Sequence, residues 1–176
     1  MEAVEALEIL DPGLLTTVQD LGRNGMARYG VAPSGALDER ALRIGNLLTG
    51  NPENTAGLET FLMGLKVRFL TAAVTAVTGA DLQPQLNGSA MPMWQTRGVQ
   101  AGDVLTFGPS VSGCRAYLAV GGGICVPRIL GSRSTHIASG FGGFKGRSLT
   151  AGDVLAVCAP DLYSAMDGVR MPAGDV

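Results

Sequence analysis

The chain has little of what marks a metal, redox, nucleic-acid or membrane protein. One histidine, His136, stands among 176 residues. No His-x-x-x-His pair exists, and no metal site is expected. Cys114, Cys125 and Cys158 are odd in number and show no Cys-x-x-Cys spacing, against a zinc ribbon or a thioredoxin-like motif. Cys114 opens "CRAYLAV" and Cys158 sits in "DVLAVCA", so buried free thiols are the expectation. Charged residues make up only 16%, and Lys+Arg 13 against Asp+Glu 15 leaves a formal charge of -2. Without a basic excess, nucleic acid is not an expected partner. The most apolar run, "FLTAAVTAVTGADL", is too short for a membrane span, and its threonines and β-branched residues suit strands. The start, "MEAVEALEIL", lacks the basic and apolar regions of a signal peptide. A cytoplasmic protein with no membrane partner is expected.

What the chain does have is apolar residues, 46%, with Gly 26 and Pro 9. Its mean hydropathy is +0.25. That composition supports a core built from short strands and many turns. "LEILDPG" and "LLTTVQDLG" read as strands joined at Asp11-Pro12-Gly13. "LETFL", "LKVRFL", "AVTAVTG", "LQPQL", "DVLTFG", "RAYLAV" and "DVLAVC" continue the style at strand-like intervals. One helix is predicted over residues 38–49, with Asp38 as N-cap, a stripe of Ala41, Ile44 and Leu48 beside Leu47, and Gly50 closing it. Gly45 inside it costs about 1 kcal/mol against alanine and points to close packing or a nearby ligand. "AGDV" occurs at Ala101–Val104 and again 50 residues on, at Ala151–Val154. It reads as a turn that launches a strand. A third copy ends the chain at Val176, so the expectation is a chain truncated at its C-terminus.

"LGSRSTHIASGFGGFKGRSLTAGD" resembles a phosphate loop in composition, but Lys145 is followed by Gly-Arg-Ser, and Lys145 stands where a third dinucleotide-motif glycine belongs. Turn and strand follow, where a helix is needed to hold a phosphate. His136 has no triad or ligand partner in the pattern. Two polar groups are stronger. Asp20, Arg23, Tyr29, Ser34 and Asp38 lie in a glycine-rich loop before the helix, where function concentrates. An Asp20–Arg23 pair with Asp38 as a plain cap accounts for them equally well. Arg115 and Tyr117 alternate on one strand face. Arg115 suits a carboxylate, or an ordinary surface ion pair.

"GLLTTVQDLGRNGMARYGVAPSGALDERALRIGNLLTGN", "AGLETFLMG", "VTGAD", "AGDVLTFG", "RAYLAVGGGICVPRILGSRST" and "GFGGFKGRSLTAGDVL" occur in that order. Together they resemble the biotin-dependent carboxyltransferase family, also called allophanate hydrolase subunit 2. The family includes the C component of 5-oxoprolinase. The resemblance implies a mainly β fold, a cyclophilin-like antiparallel β-barrel with one main helix. It also implies that residues 1–176 are the front part of a longer domain. The family pattern has Ala and Asp where this chain has Gly121 and Cys125. Family chemistry acts on small amides: ATP-dependent opening of 5-oxoproline to glutamate, or carboxyl transfer from carboxybiotin to urea. Such chemistry needs an anion-stabilising group and a proton acceptor. Arg23 or Arg115 is the candidate for oxyanion or carboxylate contact, and Asp38 or Tyr117 for proton handling. Asp20, Tyr29, Ser34, Asn46, Glu59, Ser132, Ser134 and Thr135 are substrate-binding candidates, and His136 and Lys145 recede. The chain carries no ATP motif of its own, and "SAMPMW" lacks the lysine of a biotin carrier. ATP is therefore expected through a complex, and biotin on another chain. The implied partner is an allophanate hydrolase subunit 1-like protein, which is the B component of 5-oxoprolinase, with the A component as a further one. A family alternative is a non-enzymatic regulator that antagonises a sporulation-kinase inhibitor of the allophanate hydrolase subunit 1 type.

Overall fold

The computed structural model describes residues 3–158. The strands are β1 (Ala3–Pro12), β2 (Thr16–Gln19), β3 (Gly57–Phe61), β4 (Leu65–Phe69), β5 (Ala73–Asp81) and β6 (Gln85–Leu86). They continue as β7 (Ser89–Ala90), β8 (Thr96–Val99), β9 (Val104–Thr106), β10 (Ser112–Val120) and β11 (Val154–Cys158), and helix α1 spans Glu39–Leu48. Two antiparallel sheets form. One runs β11-β1-β4-β9-β6-β7 and the other β2-β3-β10-β5-β8. The mainly β, one-helix class implied by the sequence holds. The strands divide into two sheets and do not close one continuous barrel. β1 and β2, although joined by a tight turn, enter different sheets.

Binary pattern explains the layers. In β4, Leu65, Val67 and Phe69 are buried while Lys66 and Arg68 face solvent, the period-2 signature of a half-buried strand. Leu7, Ile9, Val67, Phe69 and Leu105 of one sheet share a core with Val18, Leu58, Val77, Leu118 and Val120 of the other. β10 is covered on both faces, and Ala116 to Val120 are all fully buried. Its second cover is α1, which packs across β5 and β10.

The helix starts where its cap predicts. Asp38 accepts a hydrogen bond from the Ala41 amide at 3.0 Å. Leu42 completes the buried stripe with Ala41, Ile44 and Leu48, while Leu47 is exposed. Of the two readings of Gly45, close packing is the one observed. A Cβ there would lie 3.0 Å from Thr78 Oγ1 and 3.3 Å from the Ala119 Cβ. "LQPQL" contributes only the two residues of β6, and β7 and β8 carry no clear sequence signal.

Both described copies of "AGDV" are the same corner. Gly102 and Gly152 take φ of 94° and 86°, the left-handed region open to glycine. Asp103 Oδ2 accepts from the Gln100 amide at 2.7 Å, and Asp153 Oδ2 from the Thr150 amide at 2.8 Å. The third copy lies outside the described residues. At the second corner Arg147 donates through Nη1 and Nη2 to the two Asp153 oxygens, at 2.7 and 2.8 Å. These bonds, with those from Thr150, hold the Asp153 carboxyl down at about 2. A carboxyl that ionises more readily when folded stabilises the fold above the ordinary carboxylate range and loses that contribution as pH falls toward 2. Arg147 is partly solvated, so Asp153→Asn should cost about 1–2 kcal/mol at neutral pH. The gap to wild type should close on acidification below pH 4. Urea unfolding at several pH values checks this, and a constant gap contradicts it.

The cysteine expectation is corrected. Cys125 and Cys158 form a disulfide with their Cα atoms 5.3 Å apart. Cys114 is a free thiol, but an exposed one. Apolar neighbours in the sequence hid this, because Cys114 lies at the solvent end of β10 before the strand enters the core. Cys125 is thereby tied to a residue 33 positions on.

Candidate active site

Loop 20–38 leaves β2 and returns to α1, and three successive backbone amides dock its returning limb. Ala36 N donates to the Asp20 carbonyl at 2.9 Å. Leu37 N donates to Glu59 Oε2 at 2.8 Å, and Asp38 N to the Tyr117 hydroxyl at 2.7 Å. The two limbs nearly touch. A Cβ on Gly22 would lie 2.7 Å from the Ser34 carbonyl oxygen, and one on Gly35 would lie 2.9 Å from the Gly22 nitrogen. Only glycine permits that approach.

The outgoing limb is anchored by Asp20. Its carboxylate accepts from the Gly22 amide (2.8 Å), the Ser132 hydroxyl (2.7 Å), the Arg133 amide (2.6 Å) and the Ser134 hydroxyl. Thr135 joins this region by donating to the Val18 carbonyl at 2.9 Å. Arg23 donates to the Ser134 carbonyl, and its guanidinium lies 4.8 Å from the centroid of Phe141. It is 1% exposed, and Nε and Nη1 are buried without a hydrogen-bond acceptor. Burial pulls this guanidinium below its ordinary value, and the charge of Asp20 works against that pull. This is a sealed anchor that ties the 132–135 segment to β2.

The second cluster opens to solvent. Glu59, at the middle of β3, lies opposite Tyr117 of β10 in register. The Tyr117 hydroxyl donates to Glu59 Oε2 at 2.7 Å while accepting from Asp38 N. Burial, then the Glu59 charge, raises the phenol above its ordinary value. It stays a proton donor that positions its neighbours. Arg115 Nη1 lies 3.5 Å from Glu59 Oε1, its guanidinium is 4.4 Å from the Phe61 ring centroid, and Nε has no acceptor. Arg115, Asp38, Leu37, Cys114 and Gly79 line a cleft of about 320 Å³. The structure therefore brings Asp38, Glu59, Arg115 and Tyr117 together, and separately Asp20, Arg23, Ser132, Ser134 and Thr135. Tyr29 stands apart, exposed under Arg28. Asn46 holds the segment after α1 through the Glu53 and Thr55 carbonyls. Ser34 sits at a φ of 53° with its hydroxyl unpaired. Sequence reading missed Phe61 and Gly79, which meet Arg115 only through sheet register.

A family model described as carboxyltransferase domain, subdomain A and B, matches residues 29–172. The chain belongs to that family. This carboxyltransferase domain is 44% identical over 151 residues to the C component of 5-oxoprolinase from Escherichia coli K12, covering 86% of this chain and 49% of that protein. It is 42% identical over 161 residues to the urea amidolyase of Lachancea kluyveri, covering 91% of this chain and 9% of that one. The crystal structure of the K. lactis urea amidolyase superposes with a TM-score of 0.87 at 40% identity, over 100% of this chain and 10% of that chain. The domain thus spans about half of the 5-oxoprolinase relative and about a tenth of the amidolyases.

Proposed function

We propose that this carboxyltransferase domain is the front part of the C component of an ATP-dependent 5-oxoprolinase, or of a related biotin-dependent carboxyltransferase that acts on a small amide such as urea. The carrying observation is the Arg115 guanidinium. It is stacked on Phe61, held near Glu59 and open to a cleft that also contains Asp38. Opening a lactam, or transferring a carboxyl group to an amide nitrogen, builds negative charge on the amide oxygen. A cation fixed in advance stabilises that charge without reorganising. Arg115 takes this role ahead of Arg23, which is sealed beneath Phe141. Asp38, exposed at the cleft mouth, is the proton acceptor, and Tyr117 and Glu59 position it and Arg115. The names of the relatives favour the enzyme reading over the regulatory one.

Loop 140–146 offers no phosphate seat for ATP. It runs into turn and β11, with no helix N-terminus to hold a phosphate. Lys145 lies over the Phe144 ring. ATP is accordingly assigned to the complex with an allophanate hydrolase subunit 1-like protein (the B component) and with the A component. Biotin is assigned to another chain.

In full-length protein assembled with its partner components, Arg115→Ala should lower kcat/KM for ATP-dependent glutamate release from 5-oxoproline by about 100-fold. A wild-type rate would remove Arg115 from the site. Cys114 supplies a second readout, since its thiol lines the same cleft. Its alkylation by iodoacetamide should slow when 5-oxoproline or urea is bound, and the protecting compound names the substrate class.

A further inference from the structure

We propose that Cys125–Cys158 is a reversible redox modification site that clamps a second cleft. This cleft, about 400 Å³, has Cys125, Val126 and Ile129 on one wall and Phe141, Phe144 and Lys145 of the glycine-rich loop on the other. The first wall is tied to the edge of the six-stranded sheet. Cys125 N donates to the Ala156 carbonyl at 2.8 Å, Cys158 N donates to the Gly123 carbonyl at 3.2 Å, and Ile124 bridges Val157. These are single contacts along a short stretch, and the disulfide makes the attachment covalent. The far wall is held within its own segment, by the His136–Phe141 bridge, by Gly143 N donating to the Arg133 carbonyl and by the Arg23–Phe141 contact, inside the loop the disulfide closes.

Both half-cystines keep solvent-accessible surface, so a reductant can reach them. The exchange balances with a dithiol of the thioredoxin class. Its thiolate attacks one sulfur, a mixed disulfide forms, and its second thiol resolves it. Two protein thiols are left and the dithiol becomes a disulfide, a transfer of two electrons and two protons. In a thiol-reducing compartment such a pair rests open. It closes by the reverse exchange when the oxidised, disulfide form of that dithiol partner accumulates and takes back the two electrons and two protons. Closure fixes the Cys125–Ile129 wall on β11, and opening lets the cleft and the segment above Asp20 loosen.

The test uses the purified protein after mild oxidation and after dithiothreitol. Thiol titration should count one reactive thiol, Cys114, in the first state and three in the second under denaturing conditions. Trypsin cleavage after Lys145 should accelerate at least about tenfold on reduction, while cleavage after Arg68 in β4 stays slow. Cys125→Ser/Cys158→Ser should behave as the reduced protein in both buffers. Three thiols after mild oxidation would overturn the site. Equal Lys145 cleavage in the two states would overturn the clamp, as would parallel acceleration at Arg68, which reports global loosening.

Discussion

Asp20→Ala should destabilise the fold by about 3–5 kcal/mol, because it removes the partner of several buried donors and the charge opposing Arg23. Two hydroxyls and two backbone amides converge on one carboxylate that is 3% exposed. With the side chain gone, each is left in a space that water enters poorly, and the Arg23 guanidinium stays buried without its neutralising neighbour. Asp20→Asn keeps the shape but turns one oxygen into a donor facing donors, so it should cost about 2–3 kcal/mol. Ser132→Ala deletes one bond and should cost about 1 kcal/mol. Denaturant unfolding gives the ranking. Should Asp20→Ala fail to fold, the order of the other two still decides, and an Asp20→Asn midpoint equal to wild type sinks the anchor.

The two clusters show where the sequence speaks and where it falls silent. Asp38 is legible as a helix cap because capping is local: the Ala41 amide it accepts from is three residues away. The "AGDV" corners are legible for the same reason. Asp20 with Ser132 and Ser134 joins residues more than a hundred positions apart. Glu59 with Tyr117 depends on the register of β3 against β10. No period or turn rule brings such pairs together, so Glu59, Ser132 and Ser134 entered only as family positions, and Asp20 and Tyr117 entered without these partners. The disulfide failed to read out for a further reason. Apolar flanks are shared by buried thiols and by half-cystines on an edge strand, and only the approach of Gly123–Cys125 to β11 separates them.

Glu59 is where stability and chemistry meet. Glu59→Ala should cost about 3 kcal/mol, since it orphans the Leu37 amide and the Tyr117 hydroxyl and leaves Arg115 without its anion. Tyr117→Phe should cost less, about 1–3 kcal/mol, because it strands only the Asp38 amide, while Glu59 Oε2 keeps its bond from the Leu37 amide. The two residues share a hydrogen bond, so their effects cannot add. The double variant should be more stable than the sum of the singles implies, with a coupling of about 1–2 kcal/mol. Activity separates positioning from mere support. Glu59→Gln preserves the volume but frees Arg115 to swing, so kcat in the assembled complex should fall while the unfolding midpoint moves little by comparison. Additive unfolding energies, or a Glu59→Gln enzyme slowed only in proportion to its lost folded fraction, would reduce the cluster to ordinary packing under the loop.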